Sequence, residues 1–179
     1  MFSQSREYLS LRTLAIIPIV LFAPTLAIAV VNPTSKISDG LGILFHVAVL
    51  FVVSRLPGPV WAKAAGFGWL TLDVACAAMT IHGVPDDIAF PMRLGGHVLA
   101  AVWLIAESLL IRSISIRVVG IFTALWLAGY TFFGAGLPQN VLIPSGITTV
   151  IWFALIAWQS KPLPDGVVDS GSSIPAAAH

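Results

Sequence analysis

Apolar residues run through this chain in long unbroken stretches rather than in alternation. Six stretches stand out, at residues 12–32, 37–56, 62–82, 91–110, 115–134 and 142–159. Each is close to the roughly 20 residues a helix needs to cross about 30 Å of hydrocarbon. Lipid offers no hydrogen bonds to a bare backbone, so continuous apolar runs predict helices. The absence of period-two alternation argues against a barrel. The expected fold is an all-α integral membrane protein of six transmembrane helices, arranged as a set of three helical hairpins if the echo described below is a true repeat. The connections are short, which makes residues 1–160 a single transmembrane bundle. Residues 161–179, rich in Pro, Gly, Ser and Ala, read as an irregular cytoplasmic tail.

Composition agrees with this pattern. Of 179 residues, 58% are hydrophobic and 9% charged, and the mean hydropathy is +0.95. A soluble core of this size has no room for so much apolar surface. A disordered chain and a nucleic-acid binder are excluded on the same ground. The single cysteine, Cys76, rules out an intramolecular disulfide, a Cys-rich zinc site and an iron–sulfur cluster. Inside an apolar run, it reads as a small buried hydrophobe.

The basic residues orient the spans. Arg6, Arg12, Arg55, Lys63, Arg112, Arg117 and Lys161 fall on one side of a six-span threading, and Lys36 and Arg93 on the other. Seven against two is a positive-inside bias, placing both termini in the cytoplasm, most naturally at a bacterial inner (plasma) membrane. The first span also has the layout of a signal peptide, with Ala27-Ile28-Ala29 near its end. Its apolar run is longer than a signal core, so a retained anchor is the preferred reading. Pro18 and Pro24 should bend this span, because each removes a backbone donor.

A short pattern repeats. Residues 83–91 and 136–144 share Gly-[Val/Leu]-Pro-x-x-[Ile/Val]-x-x-Pro, each joining an outgoing span to a returning one. Either three hairpins descend from one unit, as in some transporters, or both segments obey common turn chemistry, with Gly ending a helix and Pro opening the next.

Polar residues inside the spans carry the candidate chemistry, since an ionisable group in hydrocarbon is costly and turns inward. Asp73 lies near the centre of the third span. Gly66, Trp69, Asp73, Ala77 and Thr80 fall within roughly 40° of one line on a helical wheel. That face suits a proton site or an anchor for a ligand, or else a carboxyl hydrogen-bonded to a neighbouring helix. Asp39, Gly42 and His46 share a face of the second span; Arg93 and His97 share one of the fourth. Two intramembrane histidines raise the question of haem. Their depths match poorly and no Cys-x-x-Cys-His motif is present, so no cofactor or metal is expected. Glu107, near the cytoplasmic end of the fourth span, is expected to pair with Arg112 at the headgroups. His82, Asp86, Asp87 and Arg93 cluster around the second outer connection, and Tyr130 adds a polar group to the fifth span. Trp61 and Trp158 sit at span ends, as an interfacial belt requires. Trp69, Trp103, Trp126 and Trp152 lie deeper, and their indole N–H groups need partners.

No nucleotide-binding loop, nucleophile elbow or zinc-protease motif is present, so direct nucleotide binding is not expected. Membrane lipids are the certain partners of such a surface. Two functional readings remain. In the first, minimal loops, deep tryptophans and the missing catalytic kit describe a small non-catalytic accessory subunit, packed on other membrane protein subunits. In the second, Asp73 with His46 and His97 serves a small-solute or proton-coupled transporter, or a substrate-binding membrane subunit. The first is narrowly preferred from sequence.

Overall fold

The computed structural model describes residues 9–32, 35–134 and 137–160. The expected tail at 161–179, and Arg6 and Lys161 of the charge pattern, lie outside the described residues. Six helices follow one another: α1 (Leu11–Val31), α2 (Lys36–Arg55), α3 (Val60–Ile81), α4 (Asp86–Leu110), α5 (Ile114–Phe133) and α6 (Ile143–Gln159), with one 3-10 turn (Gln139–Leu142) leading into α6. All six segments are long and apolar enough to cross a membrane, α6 together with its leading turn. The chain is therefore an all-helical protein consistent with a polytopic membrane protein.

Local signals fix the helix ends. Ser10 caps α1, its hydroxyl accepting from the Thr13 amide at 3.1 Å. Pro59 and Pro85 stand at the N-caps of α3 and α4 in extended conformation. Gly83, with φ +81°, ends α3: its amide bonds back to Thr80 and that of Val84 to Met79. The fourth helix begins at Asp86, five residues ahead of the apolar run that predicted it. The polar residues Asp86 and Asp87 belong to its first turn, where carboxylates face the positive end of the helix dipole. Pro91 is carried inside the helix, not at its start. The two echoing segments thus diverge. Both first prolines, Pro85 and Pro138, precede a helical turn in extended geometry, but Pro91 lies in the second turn of α4 and Pro144 in the first of α6.

Each helix packs against its neighbours in sequence, and α6 returns to pack against α1. Six helices in alternating direction therefore close into a ring. One end carries the α1–α2, α3–α4 and α5–α6 connections; it is called the upper end here, with Lys36 close by. The lower end carries the α2–α3 and α4–α5 connections, with Arg12, Arg55, Lys63, Arg112 and Arg117 close by. The outer faces are apolar and open to lipid: Val20, Leu44, Phe51, Phe122 and Leu125 are exposed, as are Trp61 and Trp158 at the lower end.

Hydrogen bonds between adjacent helices tie the ring together. Ser38 donates to the Thr25 carbonyl (3.3 Å), Cys76 to that of Ala89 (3.1 Å), Thr131 to that of Leu94 (3.2 Å), and Thr123 to Thr148 (2.7 Å). In hydrocarbon such groups have no water to fall back on, so they specify which helices meet. Aromatic and β-branched side chains fill the lower half of the ring: Phe45, Val49, Val52, Val53, Trp103, Trp152 and Phe153 are all buried. Gly66 permits the close approach of α3 there, since a Cβ would lie 3.0 Å from both the Trp103 ring and Val53. The upper half is left open.

Candidate functional site

The pitch of α3 sets Trp69 one turn before Asp73 on the inward face, and both are buried. The Trp69 indole donates to Asp73 Oδ2. From α2, His46 brings Nε2 to 3.0 Å from the same oxygen, while its Nδ1 lies 2.7 Å from the carbonyl oxygen of Gly42 one turn back. A carbonyl only accepts, so Nδ1 carries a hydrogen. Nε2 then faces a carboxyl oxygen with one proton between them. It belongs either to an imidazolium beside a carboxylate or to a neutral imidazole beside a carboxylic acid. In both descriptions the pair holds one shared proton. Removing it would set a nitrogen lone pair against a carboxylate in a buried place, which neither group tolerates without moving or finding a new partner.

From α4, Arg93 Nε approaches the other carboxyl oxygen, Oδ1, at 4.0 Å. That is an ion pair without a hydrogen bond, and Oδ1 is buried with no hydrogen-bond partner among the described residues. His97, one turn further along α4, is buried, and its Nδ1 has none among them either. These groups surround a cavity of about 560 Å³ at the centre of the ring, within the range of small-molecule sites. All six helices contribute to its wall. Phe22 and Leu26 of α1, Ala77 of α3, Leu127 of α5 and Thr149 of α6 make most of it apolar, and Asp39, Gln139 and Asn140 mark its upper rim. A second cavity of about 330 Å³ adjoins it at the upper end. Asp39, Phe90, Arg93 and Gln139 line both.

Below the cavity lies a floor of stacked rings. Trp69 stacks on Trp103 with centroids 5.6 Å apart, and Trp103 meets Trp152 edge-on at 5.4 Å. Phe153 continues the contact from Trp152 at 5.2 Å and reaches Phe45 at 6.2 Å. The Trp152 indole donates to Ser108 across the ring (3.1 Å). That of Trp126 donates to the Val141 carbonyl (2.7 Å), tying α5 to the 3-10 turn. Trp103 alone among the deep tryptophans has a buried N–H with no partner among the described residues.

The structure thus gathers His46, Trp69, Asp73 and His97 with Arg93, which the sequence had assigned to an outer-loop cluster. That cluster separates. Arg93 turns into the ring, Asp86 lines the second cavity, and His82 and Asp87 are exposed and line neither. Thr80 lines the second cavity and donates to the Cys76 carbonyl (3.1 Å). Tyr130 is not at the central cavity: its hydroxyl donates to the Leu137 carbonyl (3.1 Å), and its ring packs edge-on to Phe90. Among the described residues no group of three His, Cys, Asp or Glu is placed to hold a metal ion.

Three features escaped the sequence. The sequence put Asp39 on the His46 face, but not at the mouth of both cavities, which forms only where α2 meets α4 residues Phe90 and Arg93. Gln139 and Asn140 come to the rim only through the 3-10 turn. Glu107 is the clearest correction. It does not pair with Arg112 at the headgroups; Arg112 is exposed, while Glu107 is fully buried, and neither carboxyl oxygen has a hydrogen-bond partner among the described residues. The pitch of α4 turns it inward, against Gly58 of the α2–α3 connection, where the missing side chain leaves space for the carboxyl.

No family model, curated protein or solved structure matches this chain. The site must be read from its own geometry.

Proposed function

We propose that the chain is a small-solute carrier, or a membrane subunit that captures such a solute, coupled to protons through the His46–Asp73 pair. The observation that carries this reading is the 3.0 Å contact between His46 Nε2 and Asp73 Oδ2 in the wall of a cavity of about 560 Å³. A structural hydrogen bond needs no cavity beside it, and an apolar packing core needs no ionisable pair. The apolar wall with Arg93 and His97 on one side suits a small amphiphilic solute, its body against Phe22, Leu26 and Leu127 and its polar head toward the charged groups. Such a head offers a second partner to Arg93, only loosely held by Asp73, and to the unpaired His97 nitrogen. Solute arrival and movement of the shared proton are then linked, because both change the charge that Asp73 must balance.

The excess of basic residues at the lower end supports a threading with that end in the cytoplasm, at a bacterial inner membrane in this reading, and the cavity then opens away from it. A Cys76→Ala, Asn140→Cys protein in intact cells should react with a membrane-impermeant maleimide; protection until the cells are broken would reverse this orientation.

The functional test uses purified protein in liposomes with a pH-sensitive dye inside. Small apolar-tailed acids and amines are added outside, one at a time. A solute that moves protons with the wild-type protein should fail to do so with Asp73→Asn. Equal proton movement in both would end the reading.

A further inference from the structure

We propose that Glu107 is a second proton-binding site, on the opposite side of the tryptophan floor from Asp73. Its proton binding stands on local geometry, whereas its use as the lower station of a proton-coupled cycle rests on the carrier reading above.

The two carboxyl groups occupy equivalent places. Trp69 precedes Asp73 by four residues on α3, and Trp103 precedes Glu107 by four on α4. The two helices run in opposite directions and their tryptophans stack, so the acids project to opposite sides of the stack. Four residues of rise on each helix separate them by about 12 Å in depth. Asp73 has the upper cavity on its side. Glu107 has the lower end of the ring, where Gly58 makes room for its carboxyl.

The difference between the two is in their partners. Asp73 takes the indole hydrogen of its tryptophan and shares a proton with His46. Among the described residues neither oxygen of Glu107 has a hydrogen-bond partner, and the Trp103 N–H one turn away has none either. The Gly58 amide and the Trp103 N–H face the carboxyl without completing a hydrogen bond to it, and a buried carboxylate so held is costlier than the neutral acid, so this arrangement suits a bound proton. The unused Trp103 N–H provides the alternative. If the proton leaves, the carboxylate has a donor in reach at the same spacing that joins Trp69 to Asp73, so the site has a place for each state. Lys63 of α3 is a cation whose charge reaches it, but the ammonium donates to the Ser54 carbonyl at 3.3 Å. Arg117 of α5 donates to the Ile111 carbonyl at 2.7 Å, and Arg112 of the α4–α5 connection is exposed.

The sequence offers a direct probe, because it has only two glutamates, Glu7 and Glu107. In full-length protein reconstituted in lipid, side-chain carboxyl ¹³C-glutamate on a Glu7→Gln background isolates one carbon signal without touching the site. Its chemical shift should move completely from the acid to the carboxylate position as pH rises, and the pH-dependent part of tryptophan emission should be lost in Trp103→Phe. A signal fixed in either form throughout the pH range in which the protein stays folded overturns the proposal. The outcomes also separate the two claims. If Glu107 titrates while Asp73→Asn leaves solute-driven proton movement intact, the carrier reading fails and the proton site stands. If Asp73→Asn abolishes that movement while the Glu107 signal stays fixed, the carrier reading stands and this site falls.

Discussion

Asp73 is the residue on which most of the site converges, and its removal should be felt in folding as well as in function. Asp73→Ala leaves the His46 Nε2 and the Trp69 N–H without partners in a buried place. Breaking one side of such a pair costs about 3–5 kcal/mol, so the variant should unfold at markedly lower denaturant in detergent micelles. Gly66 makes a separate prediction. Gly66→Ala forces a methyl to within 3.0 Å of Val53 and of a Trp103 ring already in contact with Trp69 and Trp152, and should cost about 1–3 kcal/mol in the same assay. At this scale the sequence was informative only within one helix. The inward face shared by Trp69 and Asp73 follows from helical pitch and the cost of a charge in lipid. The contact of His46 with Asp73 does not, because it depends on how α2 is rotated against α3. Glu107 was misread for a related reason. Nearness to Arg112 in sequence suggested a pair at the headgroups, but Arg112 lies beyond the end of α4 and is exposed while Glu107 is buried, and a glycine on another connection supplies the pocket.

Helix number and extent were largely legible, since a 20-residue apolar run has few alternatives once a membrane is the solvent. The start of α4 was not. Hydropathy sees Asp86 and Asp87 as a loop, while the helix dipole treats them as a good first turn. Pro91, in the second turn, should then be an imperfection of a formed helix rather than its beginning. It gives up the bond to the Asp87 carbonyl, so Pro91→Ala should stabilise the protein by about 1 kcal/mol, read as a higher thermal midpoint. An unchanged or lower midpoint would mean that the proline shapes the mouth of the cavity instead.

The cavity belongs to the whole molecule and was invisible in the sequence, because its wall takes a few residues from every helix and none forms a local motif. Its presence gives weight to a binding role that composition, seeing only short loops and missing catalytic signatures, placed second. Filling it is a test at the same scale. Gly42 lines the cavity, and a Cβ there meets nothing within 4 Å. Gly42→Ala should be neutral or stabilising by about 0.5–1 kcal/mol. Gly42→Phe should fold as well as the wild type but weaken solute-induced thermal stabilisation tenfold or more. Undiminished stabilisation would place the solute elsewhere.

The indoles of the floor bring one more property. Rings of the same chromophore little more than 5 Å apart do not absorb independently; their transitions couple and split, and in a chiral setting the splitting appears as a paired positive and negative band in circular dichroism. Trp69, Trp103 and Trp152 meet that condition only while the rings stay in register. Any motion that parts them would erase the couplet, so the molecule carries an unlabelled optical gauge of whether its interior is shut.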